Sequence, residues 1–100
     1  MKRIWRSIVP ALLCLGAVSA QAQVSQVSVW AAACANCHGT DGRAQAGNAA
    51  LAGQSKNELV LKLQDFKNGR RPATIMHQIS KGYSDEQLEQ IAGYFAAQKP

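Results

Sequence analysis

The chain has 100 residues, 47% of them hydrophobic, with eleven Lys and Arg against six Asp and Glu for a net charge of +5. That length is expected to hold one domain. The positive balance does not mark a nucleic-acid binder, because Lys2, Arg3 and Arg6 crowd the first six residues, where a targeting segment accounts for them.

Met1 to Ala22 reads as a cleaved secretory signal peptide. The three cations form its n-region, and Ile8 to Val18 is an apolar run too short to span a bilayer. Ala20-Gln21-Ala22 supplies an A-x-A cleavage site, with Val18-Ser19-Ala20 as a second choice. Arg3 and Arg6 are not adjacent, so the twin-arginine route is not indicated. Cys14 follows the bulky Leu13 rather than the small residue of a lipoprotein signal, so it is expected to leave with the peptide. Removing 22 of the 100 residues leaves 78, a single domain over residues 23–100 with two cysteines. Eleven basic residues less the three in the signal leave eight against six acids, a net charge of +2. These features predict an exported protein of the periplasm, with no membrane anchor and no nucleic-acid partner. A chain so short buries little surface and needs a staple or a cofactor.

The first mature helix is expected from Val24 to His38, on the spacing of Val27, Trp30, Ala31 and Cys34 and an alanine run. Trp30 reads as core. At its end stands Cys34-Ala35-Asn36-Cys37-His38, a C-x-x-C-H sequence, the signature of covalent c-type haem attachment. On a helix, Cys34 and Cys37 share one face within reach of one flat ligand. His38, four positions after Cys34, points to the same side, where an imidazole nitrogen binds iron from below. Each thiol would bond one vinyl group of the porphyrin. Two rival readings exist. A thioredoxin-like redox pair needs a βαβ setting that the chain lacks. A zinc site could draw on Cys34, Cys37, His38 and His77, but adjacent Cys37 and His38 chelate one tetrahedral ion awkwardly.

Gly39-Thr40-Asp41-Gly42 breaks the helix, and Arg43 to Gly53 shows no period and reads as loop. Ser55-Lys56-Asn57-Glu58 is a capping box opening a helix to about Lys67, with Leu59, Leu63 and Phe66 on one stripe and Val60 beside them. Asn68-Gly69 stops it. Arg70 and Arg71 read as solvated surface, or as partners for a haem propionate. Pro72 and Thr74 suit the start of a short helix ending at Gly82. Ser84-Asp85-Glu86-Gln87 is a second capping box, and Leu88, Ile91, Ala92 and Phe95 form the apolar stripe of the last helix. Gly93 weakens that helix, so its use is expected to be a close crossing with another helix. No strand-like alternation and no internal repeat occur, so the class is all-α.

Haem iron needs a sixth ligand or an open site. Beyond Met1, the chain's one methionine is Met76, and its histidines are His38 and His77. A lone methionine is ordinarily core filler; here it is the one thioether left to a haem protein, and thioether ligation stabilises ferrous iron and raises the potential. His77 is the rival ligand, but on a helix it points about 100° from Met76, so both cannot face the iron.

The chain resembles class I c-type cytochromes over its whole mature length. Cys34 to Gly39, Leu51-Ala52-Gly53-Gln54 and Arg71 to Met76 look like the periplasmic branch that includes two-haem carriers. Thr74-Ile75-Met76 together with Lys81-Gly82-Tyr83-Ser84-Asp85 is most similar to cytochrome subunits of flavocytochrome c sulfide dehydrogenases, and Tyr94-Phe95 looks like the end of the same domain. The resemblance implies a small class I cytochrome c fold, three main helices plus a short one wrapped around one covalently bound haem c. Cys34 and Cys37 would carry the haem, with His38 and Met76 as axial iron ligands. It also implies a partner subunit carrying FAD that oxidises sulfide and passes electrons to this haem. The chain departs from that pattern at Ala49, where related sequences carry a proline whose carbonyl accepts from the ligating imidazole. Some of these cytochrome subunits have two haem domains, and this chain has room for one.

Electron transfer without substrate chemistry is therefore the leading expectation, as the electron-transfer subunit of an oxidoreductase complex. A free shuttle serving a terminal oxidase or other redox proteins is the alternative. A third class is a haem enzyme or gas-binding protein with an open sixth site, for which His77 with Arg70 or Arg71 would have to supply the distal groups.

Overall fold

Three serines decide where the long helices begin. The computed structural model describes residues 25–100; the expected signal peptide, Met1 to Ala22, lies outside the described residues. The order is α1 (Gln26–His38), a 3₁₀ turn (Thr40–Gly42), α2 (Lys56–Lys67), α3 (Met76–Lys81) and α4 (Asp85–Ala96), with no strand among the described residues. Ser25 caps α1 by accepting from the Ser28 N–H at 3.2 Å, so the first turn opens at Gln26. Ser55 caps α2 by accepting from the Glu58 N–H at 3.5 Å, which is the Ser55 half of the expected box. At α4 both halves form: Ser84 Oγ accepts from the Gln87 N–H at 3.1 Å, and Gln87 Oε1 accepts from the Ser84 N–H at 2.8 Å.

The short helix starts later than Pro72 and Thr74 suggest. Ile75 occupies its N-cap with no side-chain cap, and the Ile75 carbonyl accepts from Gln78 and Ile79, both at 3.0 Å. That makes Met76 the first helical residue. The end at Gly82 is where the sequence puts it.

Leu88, Ile91, Ala92 and Phe95 are the buried stripe of α4, each no more than 2% exposed. They meet Ala31 of α1 and Leu59 of α2 in one core, with Trp30, Cys34 and Leu63 packed half-buried around it. Trp30 thus borders the core instead of filling it. Lys67 fastens the end of α2 to the start of α4, donating to the Tyr83 carbonyl at 2.8 Å and to Asp85 Oδ1 at 3.0 Å. No backbone atom of another helix is among the three heavy atoms nearest to where a Gly93 Cβ would stand. Its nearest neighbour is the Lys56 side chain, with Cε 3.5 Å from where a Cβ would stand, so a long aliphatic stem covers it.

Residues 43–54 have no helix of their own and are tied down by backbone bonds. The Ala44 N–H donates to the His38 carbonyl at 2.8 Å, and the Gly42 carbonyl accepts from Leu51 at 2.7 Å and Ala52 at 2.9 Å. Gly42 has φ 76°, and a Cβ there would lie 2.7 Å from Phe95 Cδ1 and 2.9 Å from Leu51 Cβ. Only glycine lets this loop cross so close to the core. Among the described residues no helix is long and apolar enough to cross a membrane.

Candidate functional site

The loop and the four helices leave a cavity of about 590 Å³ between them, within the 300–1,000 Å³ typical of cofactor sites. Its walls are mostly apolar. Leu59, Leu63 and Phe66 come from α2 and Ile91 and Phe95 from α4, with Pro72 to Met76 along one edge. Cys34, Cys37 and His38, from the last turn of α1, all line it, and so does Met76. Three sulfur donors and one nitrogen donor, from α1 and α3, thus share one mostly apolar chamber.

Cys34 is half-buried and its thiol donates to the Trp30 carbonyl at 3.7 Å; burial pushes its pKa up, so it stays a protonated thiol. Cys37 is exposed at the cavity mouth. His38 Nδ1 lies 2.7 Å from the Ala49 carbonyl oxygen. A carbonyl can only accept, so Nδ1 carries the proton and Nε2 keeps its lone pair for a metal. The acceptor is thus the backbone carbonyl of an alanine, and position 49 needs no proline to supply it.

His77 does not line the cavity. Its Nδ1 is buried without a hydrogen-bond partner, one turn from Ser80, whose hydroxyl is also unpartnered and 1% exposed. Among the described residues no three His, Cys, Asp or Glu side chains converge on one metal position, so the zinc alternative lacks its ligand set. The thioredoxin-like alternative lacks its sheet. Arg71 reaches the cavity wall, with its guanidinium 5.7 Å above the Phe66 ring and 4.0 Å from Asp65 Oδ2, whereas Arg70 does not line it. Of Ala44, Ala46, Ala49 and Ala50, all exposed, Ala49 lines the cavity.

Sequence reasoning missed one pair. Lys62 lines the cavity on the same wall as Leu59, Leu63 and Phe66, and its Nζ donates to Gln54 Oε1 at 3.3 Å. The cue was present: position 62 falls three residues after Leu59, inside the apolar stripe, where a cation needs a reason.

A haem fits these residues. The chamber has the size and apolar lining, two thiols sit three residues apart on one helix face, and a tethered imidazole and a thioether complete the donor set.

The family described as "Cytochrome C oxidase, cbb3-type, subunit III" matches residues 22–95. The cytochrome subunit of sulfide dehydrogenase from Chlorobaculum tepidum is 39% identical over 71 residues, covering 71% of this chain and 64% of that protein. Cytochrome c4 of Pseudomonas aeruginosa is 35% identical over 100 residues, covering 99% of this chain and 50% of that protein. A solved cytochrome c4 structure from Acidithiobacillus ferrooxidans superposes with a TM-score of 0.62 at 37% identity, covering 65% of this chain and 38% of that one. The chain therefore spans about half to two thirds of the length of these two curated relatives.

Proposed function

The chain belongs to the cytochrome c family, which implies haem c and electron transfer, and on that premise we propose that it is a one-haem periplasmic carrier working with a flavoprotein sulfide dehydrogenase. The observation that carries this reading is the meeting of Cys34, Cys37, His38 and Met76 in one apolar cavity. Cys34 and Cys37 would hold the porphyrin covalently through two thioethers. His38, oriented by Ala49, and Met76, at the first turn of α3, would be the ligands of the iron. Haem bound in this way supplies a one-electron couple, with the thioether favouring the ferrous state.

The residues of this chain do the rest. Leu59, Leu63, Phe66 and Phe95 exclude water from the chamber, which lowers the local dielectric and the reorganisation that accompanies a change of charge. Met76, on the cavity wall, would occupy an iron coordination position that a substrate would otherwise need. The open-site alternative is not favoured: His77 stays outside the cavity and Arg71 is engaged over Phe66.

Ile75 and Ile79, 51% and 38% exposed, stand at the cavity edge and offer apolar contact to a partner. A mature charge near neutrality gives little long-range steering, so docking would depend on that contact. The similarity to a cytochrome subunit of sulfide dehydrogenase supports a sulfide-oxidising partner subunit. The match to a cytochrome c4 along nearly the whole chain favours a second reading, a free shuttle between several redox proteins. Capture of the tagged cytochrome from its native periplasm separates them. A stable complex brings down a flavin-containing protein, and sulfide reduces the haem only in its presence. A cytochrome that elutes alone and accepts electrons from unrelated donors is a shuttle.

A further inference from the structure

The carbonyl that orients His38 belongs to a loop with no secondary structure, and position 49 has no proline to stiffen it. Side chains hold that loop instead. Gln54 folds back and donates from Nε2 to the Ala50 carbonyl, on the residue next to Ala49. The other end of the same amide is held by α2, through Lys62 Nζ at 3.3 Å from Gln54 Oε1. Lys62 is half-buried within the wall of Leu59, Leu63 and Phe66. No carboxylate among the described residues lies within ion-pair distance of it, although Arg43, Lys56, Lys67 and Arg71 each have one. Setting an ammonium into an apolar wall against a neutral amide costs desolvation that no ion pair offsets. What the contact provides is a fixed point: a rigid helix grips the amide, and the amide grips the loop.

We propose that Lys62 and Gln54 form a brace that positions the Ala49 carbonyl and, through it, the His38 imidazole. They are positioning residues for the proximal iron ligand, and this rests on the haem reading above. A firmly held acceptor keeps the Nδ1–H···O bond short, which makes Nε2 a stronger donor and favours the ferric state. A slack loop weakens the bond and raises the potential. Loss of the Lys62 charge acts in the opposite direction, because a cation beside the haem disfavours oxidation. The two contributions are therefore separable.

The test is a double-mutant cycle on the holoprotein with Gln54→Leu, Lys62→Met and the pair together. Two quantities are read: the midpoint potential at fixed pH and salt, and the solvent exchange rate of the His38 Nδ1 proton in the ferric protein, found by its hyperfine shift. Gln54→Leu changes no charge; it is expected to raise the potential and speed the exchange several-fold. In the Lys62→Met background, where the brace is already released, the same substitution is expected to change neither. Lys62→Arg, which keeps both charge and donor, is expected to match the wild type. Wild-type values in Gln54→Leu, or an equal shift in both backgrounds, overturn the brace. A wild-type His38 ring with no hyperfine shift overturns the ligand assignment itself, and the brace with it.

Discussion

His38 Nδ1 stands 2.7 Å from the Ala49 carbonyl, eleven residues further along the chain, and this one contact fixes which imidazole nitrogen is left for iron. It joins the last residue of α1 to the middle of an irregular loop. The bond uses backbone rather than side chain, so any residue at position 49 could make it. What the residue type changes is how stiffly the carbonyl is held.

Covalent attachment is the first expected outcome. The denatured holoprotein should be heavier than the polypeptide by one haem, and replacing both Cys34 and Cys37 by alanine should leave no attached haem. Mass spectrometry under denaturing conditions decides it. Haem that leaves the wild-type protein into acidic organic solvent would contradict thioether attachment through these cysteines.

Ala44 has φ 82°, in the left-handed region that costs a residue with a Cβ about 1–2 kcal/mol. Its N–H holds the His38 carbonyl at 2.8 Å, so the strain sits directly beside the haem motif. Ala44→Gly removes the Cβ, while glycine's greater freedom in the unfolded chain returns roughly 0.5–1 kcal/mol of that. Denaturant unfolding should therefore show a net gain of about 0.5–1 kcal/mol with the haem spectrum unchanged. A loss of stability would mean that the alanine methyl makes contacts worth more than the strain.

Tyr94 donates its hydroxyl to Asp41 Oδ1 at 3.1 Å, tying α4 to the turn after α1. Burial first, then that hydrogen bond and the Asp41 charge, raise its pKa above the ordinary value of 10. The folded state thus holds the proton more tightly than the unfolded chain does. This contribution is fully present below about pH 10 and is lost as pH rises through the folded value. The stability gap between wild type and Tyr94→Phe should be constant from neutral pH to about pH 9 and narrow at higher pH. Tyr83, also raised by burial, keeps part of the alkaline loss in both proteins. Parallel profiles up to pH 11 would show that the Tyr94 hydroxyl does not titrate differently on folding.

Much of the fold was legible because its signals are local. The serine caps at Ser55 and Ser84 and the stripe of Leu88, Ile91, Ala92 and Phe95 depend on neighbours within two turns of the chain. The start of α3 was not, because Ile75 takes the N-cap with no capping side chain to announce it. The cover over Gly93 was also hidden, since a stem from the far end of α2 supplies it. In the site, the C-x-x-C-H spacing is written in the chain. The partners that hold its histidine are a loop carbonyl and a lysine on another helix, whose meeting depends on how residues 43–54 cross the core at Gly42.

The central claim is that His38 and Met76 close the iron from both sides, leaving a carrier rather than an open-site enzyme. The far-red absorption of the ferric holoprotein tests it most directly, because a methionine sulfur bound to ferric haem gives a weak charge-transfer band there. The wild type should show the band, Met76→Ala should lose it and fall in potential, and His77→Ala should keep it. A band that survives in Met76→Ala, or a ligation change that appears in His77→Ala, would contradict the account.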